Sequence, residues 1–497
     1  MGTMTFQVPS GLTAEAVTEL ARACVAGGPD NMPWPTDVHL EEGRLVVRRN
    51  VDESGYLVAC WEVENAGWLM GATATLMERP EPYWLPVELA RGKVNQLRGQ
   101  EADWRAGGLQ VPPPLSNIIH QCSLAFGQAV TSNSFDEAAR QAQTALKHAY
   151  QASDELVRLY TDQVFQIRHQ RQARLDTLLG CRLSRPLPAG PRTAAFTGAF
   201  NSAYLAVPWS DLEPESGNMR WELLDDLVKW SEEQQLLNIT AGPLIDFAAS
   251  RLPSWLWLYE RDLASLAGFM CTYVESAVKR YRGRVRSWQL TAASNCAALL
   301  SLGEDELLWL TVRLAEAARQ VDPGLELILG IAQPWGEYMA LEDRTHSPFM
   351  FADTLVRSGL NLAALDVEVV MGVTPRGSYC RDVLEMSRLV DLYALLGVPL
   401  RVSLGYPASR ANDPAADPEI RLGAGRWKDG FSPETQNSWI ESFGGLALCK
   451  PSVQAVHWIH DTDAEPHLFP NCGLVDAEGK ARPGLHTFRR LREQHLR

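Results

Sequence analysis

From residue 179 to the end of the chain, short apolar segments alternate with amphipathic ones, and this alternation constrains the fold more than any other sequence feature. Short apolar runs are typical of buried parallel strands, and the amphipathic segments between them are typical of helices. Their number and spacing predict a (β/α)8 barrel, the TIM barrel fold. The predicted strands are Leu179–Leu183, Ala199–Val207, Leu237–Ile245, Val285–Ala292, Leu325–Ile331, Leu365–Met371, Leu400–Leu404 and Ala455–His460.

The residues before the barrel divide into two parts of different pattern. Residues 1–115 contain alternating and apolar runs separated by turn residues, which predicts a β-rich, sandwich-like module. Residues 116–178 carry apolar positions at helical spacing and predict a helical connector, so the barrel spans 179–497. Within the barrel, the long segment after the seventh strand, Tyr406–Phe431, is predicted to form a lid over the barrel mouth.

Charge and composition exclude several classes of function. The net charge of −14 argues against a nucleic-acid partner, since phosphate binding requires a basic surface. No apolar run is long enough to span a membrane. The sequence starts with neither a basic segment nor an apolar one, so a cytoplasmic protein is expected, with a mature secreted form left open.

Cysteine and glycine patterns argue against the common cofactor sites. The 9 cysteines form no C-x-x-C pair and are odd in number, which indicates buried reduced thiols. The chain contains no G-x-G-x-x-G or Walker pattern for phosphates, and no G-x-S-x-G elbow for a nucleophilic serine. No cofactor and no metal are therefore expected.

Several barrel segments carry tryptophan, proline and glycine in a distinctive order. One runs from Phe200-Asn201 through Pro208-Trp209 to Trp221, another is Leu252–Leu256, and Trp288 and the stretch from Trp458 to Gly484 follow. Together they resemble the family-10 glycoside hydrolases, the endo-xylanase type of barrel, over roughly residues 180–497. The resemblance implies a β-linked, xylan-type or related carbohydrate as ligand. It also implies that Asn201, Trp209 and Trp458 contact that ligand.

The resemblance does not extend to the two catalytic glutamates. The family uses an acid/base after strand four and a nucleophile after strand seven, and a retaining pair needs both carboxyl groups about 5 Å apart. At the matching positions this chain has Ala293 and Leu404, neither of which can transfer a proton or attack a sugar. The usual chemistry of the family is therefore not predicted from these positions.

Two other glutamates stand at predicted strand ends and are the candidates for catalysis. Strand alternation places Glu368 on the same face as Asp366, and an acid within such an apolar strand is costly unless paired or functional. A structural ion pair is the alternative for Glu368, with Arg401 of the next strand as one candidate partner. Glu337 follows strand five beside Trp335, and an aromatic ring next to a carboxylate suits a sugar subsite.

Further polar residues at strand ends are candidate ligands for sugar hydroxyl groups. Asp246 ends strand three, and His460, Asp461 and Asp463 follow strand eight. The last three, with His467 nearby, also resemble a divalent-metal cluster, but one short loop rarely closes a metal site alone. The prediction for metal is therefore none.

These observations predict a glycoside hydrolase-like protein that acts on a β-linked oligo- or polysaccharide with Glu337 and Glu368 as a non-standard acid pair. One alternative is a non-catalytic protein that binds carbohydrate in the barrel groove. Another is a structural scaffold that forms a homo-oligomer through the N-terminal module or the helical connector. Carbohydrate is the expected partner, and nucleic acid and membrane are not.

Overall fold

The computed structural model describes residues 2–28, 31–236 and 238–497. The N-terminal part forms one sheet of order β4-β5-β1-β8 and a second sheet that contains β7-β6-β2-β3. In β5 the alternation buries Leu45 and Val47 and exposes Arg44 and Arg48, as expected for a strand with one face on a core. The elements are β1 Gly2–Gln7, α1 Ala14–Leu20, β2 Cys24–Gly27, β3 Met32–Trp34, β4 Thr36–Glu41, β5 Arg44–Arg49, β6 Tyr56–Val63, β7 Gly67–Ala72 and β8 Tyr83–Trp84.

Three long helices follow in this described part: α2 Leu85–Ala106, α3 Pro113–Thr131 and α4 Phe135–Arg171. Pro86 stands in the first turn of α2, where its missing N–H costs nothing. The buried face of α4 is rich in alanine, including Ala138, Ala142 and Ala149, which allows neighbouring helices to approach closely.

The remaining strands close into a parallel barrel. Their order is β11-β10-β9-β20-β17-β15-β14-β13-β12, and β11 also pairs with β13, which completes the ring. The strands are β9 Leu178–Leu183, β10 Ser202–Leu205, β11 Ile239–Ala241, β12 Ile245–Asp246, β13 Ser287–Ala292, β14 Glu326–Ile331, β15 Ala364–Val370, β17 Leu400–Gly405 and β20 Val453–Trp458. The prediction of a (β/α)8 barrel preceded by β-sheets is confirmed.

Helices lie between most of these strands and at the end of the chain. They are α5 Pro191–Ala199, α6 Trp209–Leu212, α7 Glu222–Glu233, α8 Leu263–Arg280, α9 Glu304–Val321, α10 Pro348–Arg357, α11 Val383–Ala394, α12 Pro433–Trp439, α13 Gly445–Cys449 and α14 Pro483–His495. No described helix is both long enough and apolar enough to traverse a bilayer.

The third barrel strand differs from its prediction. Leu237, the first residue of the predicted strand, lies outside the described residues. The rest is split into β11 and β12 at Gly242-Pro243, where proline has no N–H to offer a neighbouring strand. Gly242 has φ +116°, and a Cβ there would lie 2.4 Å from the carbonyl oxygen of Gln289.

The segment predicted as a lid is bound to other parts of the molecule. Short strands β16 Val373–Thr374 and β18 Arg421–Leu422 pair with each other, and β19 Arg426–Trp427 pairs with β7 of the N-terminal sheet. The loop after β17 therefore joins the N-terminal module to the barrel.

Candidate functional site

Two cavities open where the barrel strands end. The first, here called the mouth cavity, has a volume of about 80 Å³ and is lined by residues that follow β9, β10, β12 and β20. The second, here called the interface cavity, has a volume of about 450 Å³ and lies between the N-terminal module and the loops after β14 and β15. In a (β/α)8 barrel this is the edge that carries function.

Charged side chains fill the barrel interior beneath the mouth cavity. Arg182 on β9 donates from Nη1 to Glu368 Oε2 at 3.2 Å, and its Nη2 lies 3.3 Å from Asp366 Oδ2. Ser403 on β17 donates to both oxygens of Asp366 at 2.9 Å. Asp366 and Glu368 thus share one face of β15, as strand alternation predicts.

Arg376, in the loop after β15, contacts two carboxylates of this cluster. Its Nη1 donates to Asp246 Oδ1 at 2.7 Å and its Nε to Glu368 Oε1 at 3.4 Å, and all three residues are buried. We call Arg182, Asp246, Asp366, Glu368 and Arg376 the mouth network. Among the described residues, each charged side chain of the mouth network contacts at least one side chain of opposite charge.

In the mouth network, burial and the neighbouring charges shift pKa values in opposite directions. Burial opposes the charged guanidinium of Arg376, but Asp246 and Glu368 outweigh it and raise the pKa of Arg376 above its ordinary value. Burial raises the pKa of Asp366, and Arg182 and Ser403 oppose that shift. The network is therefore held together by compensating charges.

Arg401, the candidate partner for Glu368, makes other contacts. Its Nη1 donates to Thr240 at 2.7 Å and its Nη2 lies 3.4 Å from the hydroxyl of Ser287. The partners of Glu368 come instead from across the barrel and from the loop after β15.

The positions that the sequence resemblance aligns with the family's catalytic glutamates hold buried apolar side chains. Ala293 is 2% exposed and sits in the left-handed region at φ +57°, and Leu404 is 0% exposed within β17. No carboxylate is presented from either position.

The interface cavity is built around Glu337. Its Oε1 accepts hydrogen bonds from Arg381 and from the backbone N–H of Tyr379, the latter at 3.2 Å. Its Oε2 is buried and has no hydrogen-bond partner among the described residues. The guanidinium carbon of Arg381 lies 4.4 Å from the ring centroid of Trp335, so Glu337 and Trp335 share one arginine.

The N-terminal half of the chain supplies the opposite wall of the interface cavity. Lys93 on α2 donates to Asp382 Oδ2 at 2.5 Å, and Gln96 donates to Glu385. Strand and helix side chains complete the wall, among them Met32, Tyr56, Met70 and Tyr150. Cys24 also lines it, and burial raises the pKa of its thiol to about 12, so the thiol stays protonated.

The remaining candidate residues fall in three places. Asp246, His460 and Asp461 line the mouth cavity, and Asp463 lies beside His460. Asp461 pairs with Arg192 at 2.5 Å, and burial raises its pKa despite that partner. Trp335 lines the interface cavity.

Asn201, Trp209 and Trp458 lie away from both cavities. Asn201 bonds the backbone N–H of Leu179 at the start of β9, the opposite end of the barrel from the mouth. Trp209 and Trp458 are 1% and 0% exposed and pack within the core. Their placement favours a structural role for all three.

Glu337 and Glu368 belong to different environments. Glu337 pairs with Arg381 in the interface cavity, whereas Glu368 pairs with Arg182 and Arg376 in the mouth network. The two acids share no partner among the described residues, so their joint role as an acid pair stays a prediction.

Sequence reasoning missed the arginines that organise both cavities. Arg182 stands inside the apolar run LLGCRL, where a charge is as costly as at Glu368. The charge within this apolar run could therefore have identified Arg182 from the sequence. Arg376 and Arg381 lie in a loop, and no local pattern distinguishes them from solvated residues.

No family model matches the chain. Among solved structures, it is similar to xylanase 10B of Thermotoga petrophila in complex with xylobiose, at 13% identity and a TM-score of 0.47, over 64% of this chain and 94% of that one. It is also similar to a GH10 protein of Paenibacillus barcinonensis, at 16% identity and a TM-score of 0.47, over 65% and 96% of the two chains.

An intracellular xylanase of Thermoanaerobacterium saccharolyticum, solved with xylotriose, is similar at 15% identity and a TM-score of 0.46, over 64% of this chain and 96% of that one. The protein is similar to family-10 xylanases in its barrel. At this identity the likeness concerns the fold alone, and the barrel itself rests on the strand order described above.

Proposed function

We propose that the protein binds a carbohydrate in the interface cavity and does not hydrolyse it. The observation that carries this proposal is the buried Oε2 of Glu337, which has no hydrogen-bond partner among the described residues. A buried acceptor without a partner is costly, and a turn of the Glu337 carboxylate toward the cavity that it lines would bring Oε2 to a ligand hydroxyl group.

The lining of the interface cavity suits a saccharide. Trp335, Tyr56 and Tyr379 provide aromatic surface, and Glu337 and Arg388 provide polar groups. Sugars present apolar C–H faces and many hydroxyl groups, so they need both kinds of contact. The volume of about 450 Å³ falls in the range of small-molecule sites.

The other carboxylates of the interface cavity are already engaged. Asp382 accepts from Lys93 through Oδ2 and from the backbone N–H of Glu385 through Oδ1, and Glu385 accepts from Gln96. Glycoside hydrolysis requires two carboxyl groups on opposite sides of the scissile bond. These contacts favour binding over hydrolysis.

Hydrolysis by Glu337 and Glu368 is the competing proposal. It would require both acids to reach one sugar ring, and each is held by its own arginine. Glu368→Gln separates the two proposals, because it removes the acid from the mouth network and leaves the interface cavity unchanged.

The test is calorimetric titration of the full chain with xylo-, cello- and manno-oligosaccharides, followed by chromatography of the same samples after long incubation. The expected result is saturable heat with one of these series and no shortened products. Shortened products that disappear in Glu368→Gln would contradict the proposal and support hydrolysis.

A further inference from the structure

A second cluster lies at the edge of the mouth cavity, apart from the proposed carbohydrate site. His460, Asp463 and His467 each offer one ligand atom, and these atoms all lie within 4.8 Å of one another. The side chains of His467 and Asp463 are each 4% exposed, and that of His460 is 12% exposed. We propose that this cluster binds a divalent first-row transition metal ion such as Zn²⁺.

Two of the three ligand atoms already have the spacing expected at one ion. His460 Nε2 lies 3.0 Å from Asp463 Oδ1. Two atoms bound at about 2.1 Å to the same ion, at ordinary coordination angles, are separated by about 3.0–3.4 Å. The ligand atom of His467 lies within 4.8 Å of both, so a small movement of its side chain would complete the site.

His467 is oriented as metal-bound histidines usually are. Its Nδ1 lies 2.7 Å from the carbonyl oxygen of Glu465, to which it donates, and this leaves the lone pair on Nε2 directed at the cluster. A second hydrogen bond of this kind fixes the ring and its tautomer. His467 Nε2 lies 3.0 Å from Asp413 Oδ2, which holds the ring from its other side.

The carboxylates are also held in place. Asp463 Oδ1 accepts from the backbone N–H of Gly473 at 2.7 Å, which leaves its second lone pair for an ion, and Arg482 lies 2.6 Å from Oδ2. Asp413 Oδ2 accepts from the backbone N–H of Asn471 at 2.8 Å. The ligand atoms are thus positioned by contacts outside the cluster.

Asp413 helps to position His467, although it is not one of the three ligands. It comes from the loop after β17, whereas the three ligands follow β20, and Ala416 forms a β-bridge with His467 that joins the two loops. A second segment of chain therefore holds the loop that supplies the donors, which sequence spacing did not show.

The types of ligand atom in the cluster favour one class of metal ion. Two imidazoles with carboxylate oxygen favour Zn²⁺, Co²⁺, Fe²⁺ or Ni²⁺ over Ca²⁺ and Mg²⁺, which prefer oxygen ligands alone. His460 and His467 also line the mouth cavity, so an ion held by them has a coordination position open to that cavity. A ligand oxygen entering the cavity would bind there.

The test uses the full chain, freed of metal with a chelator and then titrated with Zn²⁺ by calorimetry. One equivalent per chain is expected, with affinity at least 100-fold weaker in His467→Gln and in Asp463→Asn. His120→Gln, on the exposed surface of α3, is the matched control and should bind like the parent.

Two further measurements distinguish metal binding at this cluster from binding elsewhere on the protein. Zn²⁺ should raise the melting temperature of the parent and of His120→Gln but not of folded His467→Gln. Co²⁺ should give visible bands of a nitrogen- and oxygen-bound ion; a strong thiolate-to-cobalt band would place the ion on a cysteine and overturn the proposal. Absence of stoichiometric uptake, or equal uptake by the variants, would also overturn it.

Discussion

The mouth network and the interface cavity differ in how their buried carboxylates are paired. In the mouth network, Arg376 bridges Asp246 and Glu368, and Arg182 pairs with Asp366 and Glu368. In the interface cavity, one oxygen of Glu337 is bound and the other is left without a partner among the described residues. Every carboxylate of the mouth network is paired with an arginine, although Arg182 Nε and Arg376 Nη2 have no hydrogen-bond partner among the described residues. In the interface cavity the atom without a partner is a carboxylate oxygen.

The difference indicates where a ligand is needed. Buried ion pairs with full partners hold structure, because removing either member leaves an uncompensated charge. A buried acceptor without a partner costs free energy, which a bound hydroxyl group would recover. We therefore infer a structural role for the mouth network and keep the interface cavity as the proposed binding site.

Replacing Arg376 should produce the largest effect. Arg376→Met leaves Asp246 and Glu368 buried without their shared cation, so the free energy of unfolding should fall by about 3–5 kcal/mol. Urea denaturation followed by circular dichroism measures this change.

The matched control is the triple variant Arg376→Met, Asp246→Asn and Glu368→Gln, which removes the charges on both sides. It should recover part of the lost stability, since neutral side chains cost less to bury than unpaired ions. If Arg376→Met were as stable as the parent, the mouth network would not be structural.

Replacing Glu337 should cost less stability. In Glu337→Gln one buried cation, Arg381, loses its counter-ion but keeps the amide oxygen and the ring of Trp335, so a loss of about 2–3 kcal/mol is expected. Affinity for the bound saccharide should fall about tenfold, which corresponds to about 1.4 kcal/mol. A stability loss equal to that of Arg376→Met would remove the contrast between the two regions.

The last effect depends on pH and lies outside both cavities. Burial, together with His169 and Arg174, lowers the pKa of His495 to about 4. A histidine in the unfolded chain has a pKa of about 6.5, so the unfolded state binds the proton more readily. The free energy of unfolding should therefore fall as pH decreases from about 6.5 to about 4 and stay unaffected by His495 above that range.

His495→Phe removes this contribution and retains an aromatic ring beside Phe165, whose centroid lies 3.7 Å away. The variant should lose less stability than the parent between pH 7.5 and pH 4.5 in urea denaturation. Equal loss in the two proteins would show that His495 does not contribute. His120→Phe, at an exposed position, should behave like the parent.

The sequence predicts what depends on local pattern. Strand and helix periodicity are local, so the barrel and the shared face of Asp366 and Glu368 follow from them. Trp335 and Glu337 could be paired because they are close in sequence at the end of one strand. The partners Arg182, Arg376 and Arg381 come from other strands and loops, and only the folded chain brings them into contact.

The resemblance to a known family was informative for the fold and less so for the site. It led to Trp209 and Trp458 as sugar contacts, but both rings are buried by aromatic neighbours: Trp209 stacks on Tyr273, and Trp458 packs against Trp439 and Phe488. The resemblance covers only the barrel, so it gave no information on the N-terminal wall of the interface cavity.

The most direct test of carbohydrate binding in the interface cavity is a comparison of two tryptophan variants by calorimetric titration. Trp335→Ala removes an aromatic ring that lines the cavity, and Trp309→Ala removes one that is 45% exposed on α9. The oligosaccharide bound by the parent should bind at least tenfold more weakly to Trp335→Ala and equally well to Trp309→Ala. Equal affinity of Trp335→Ala and the parent would contradict carbohydrate binding in the interface cavity.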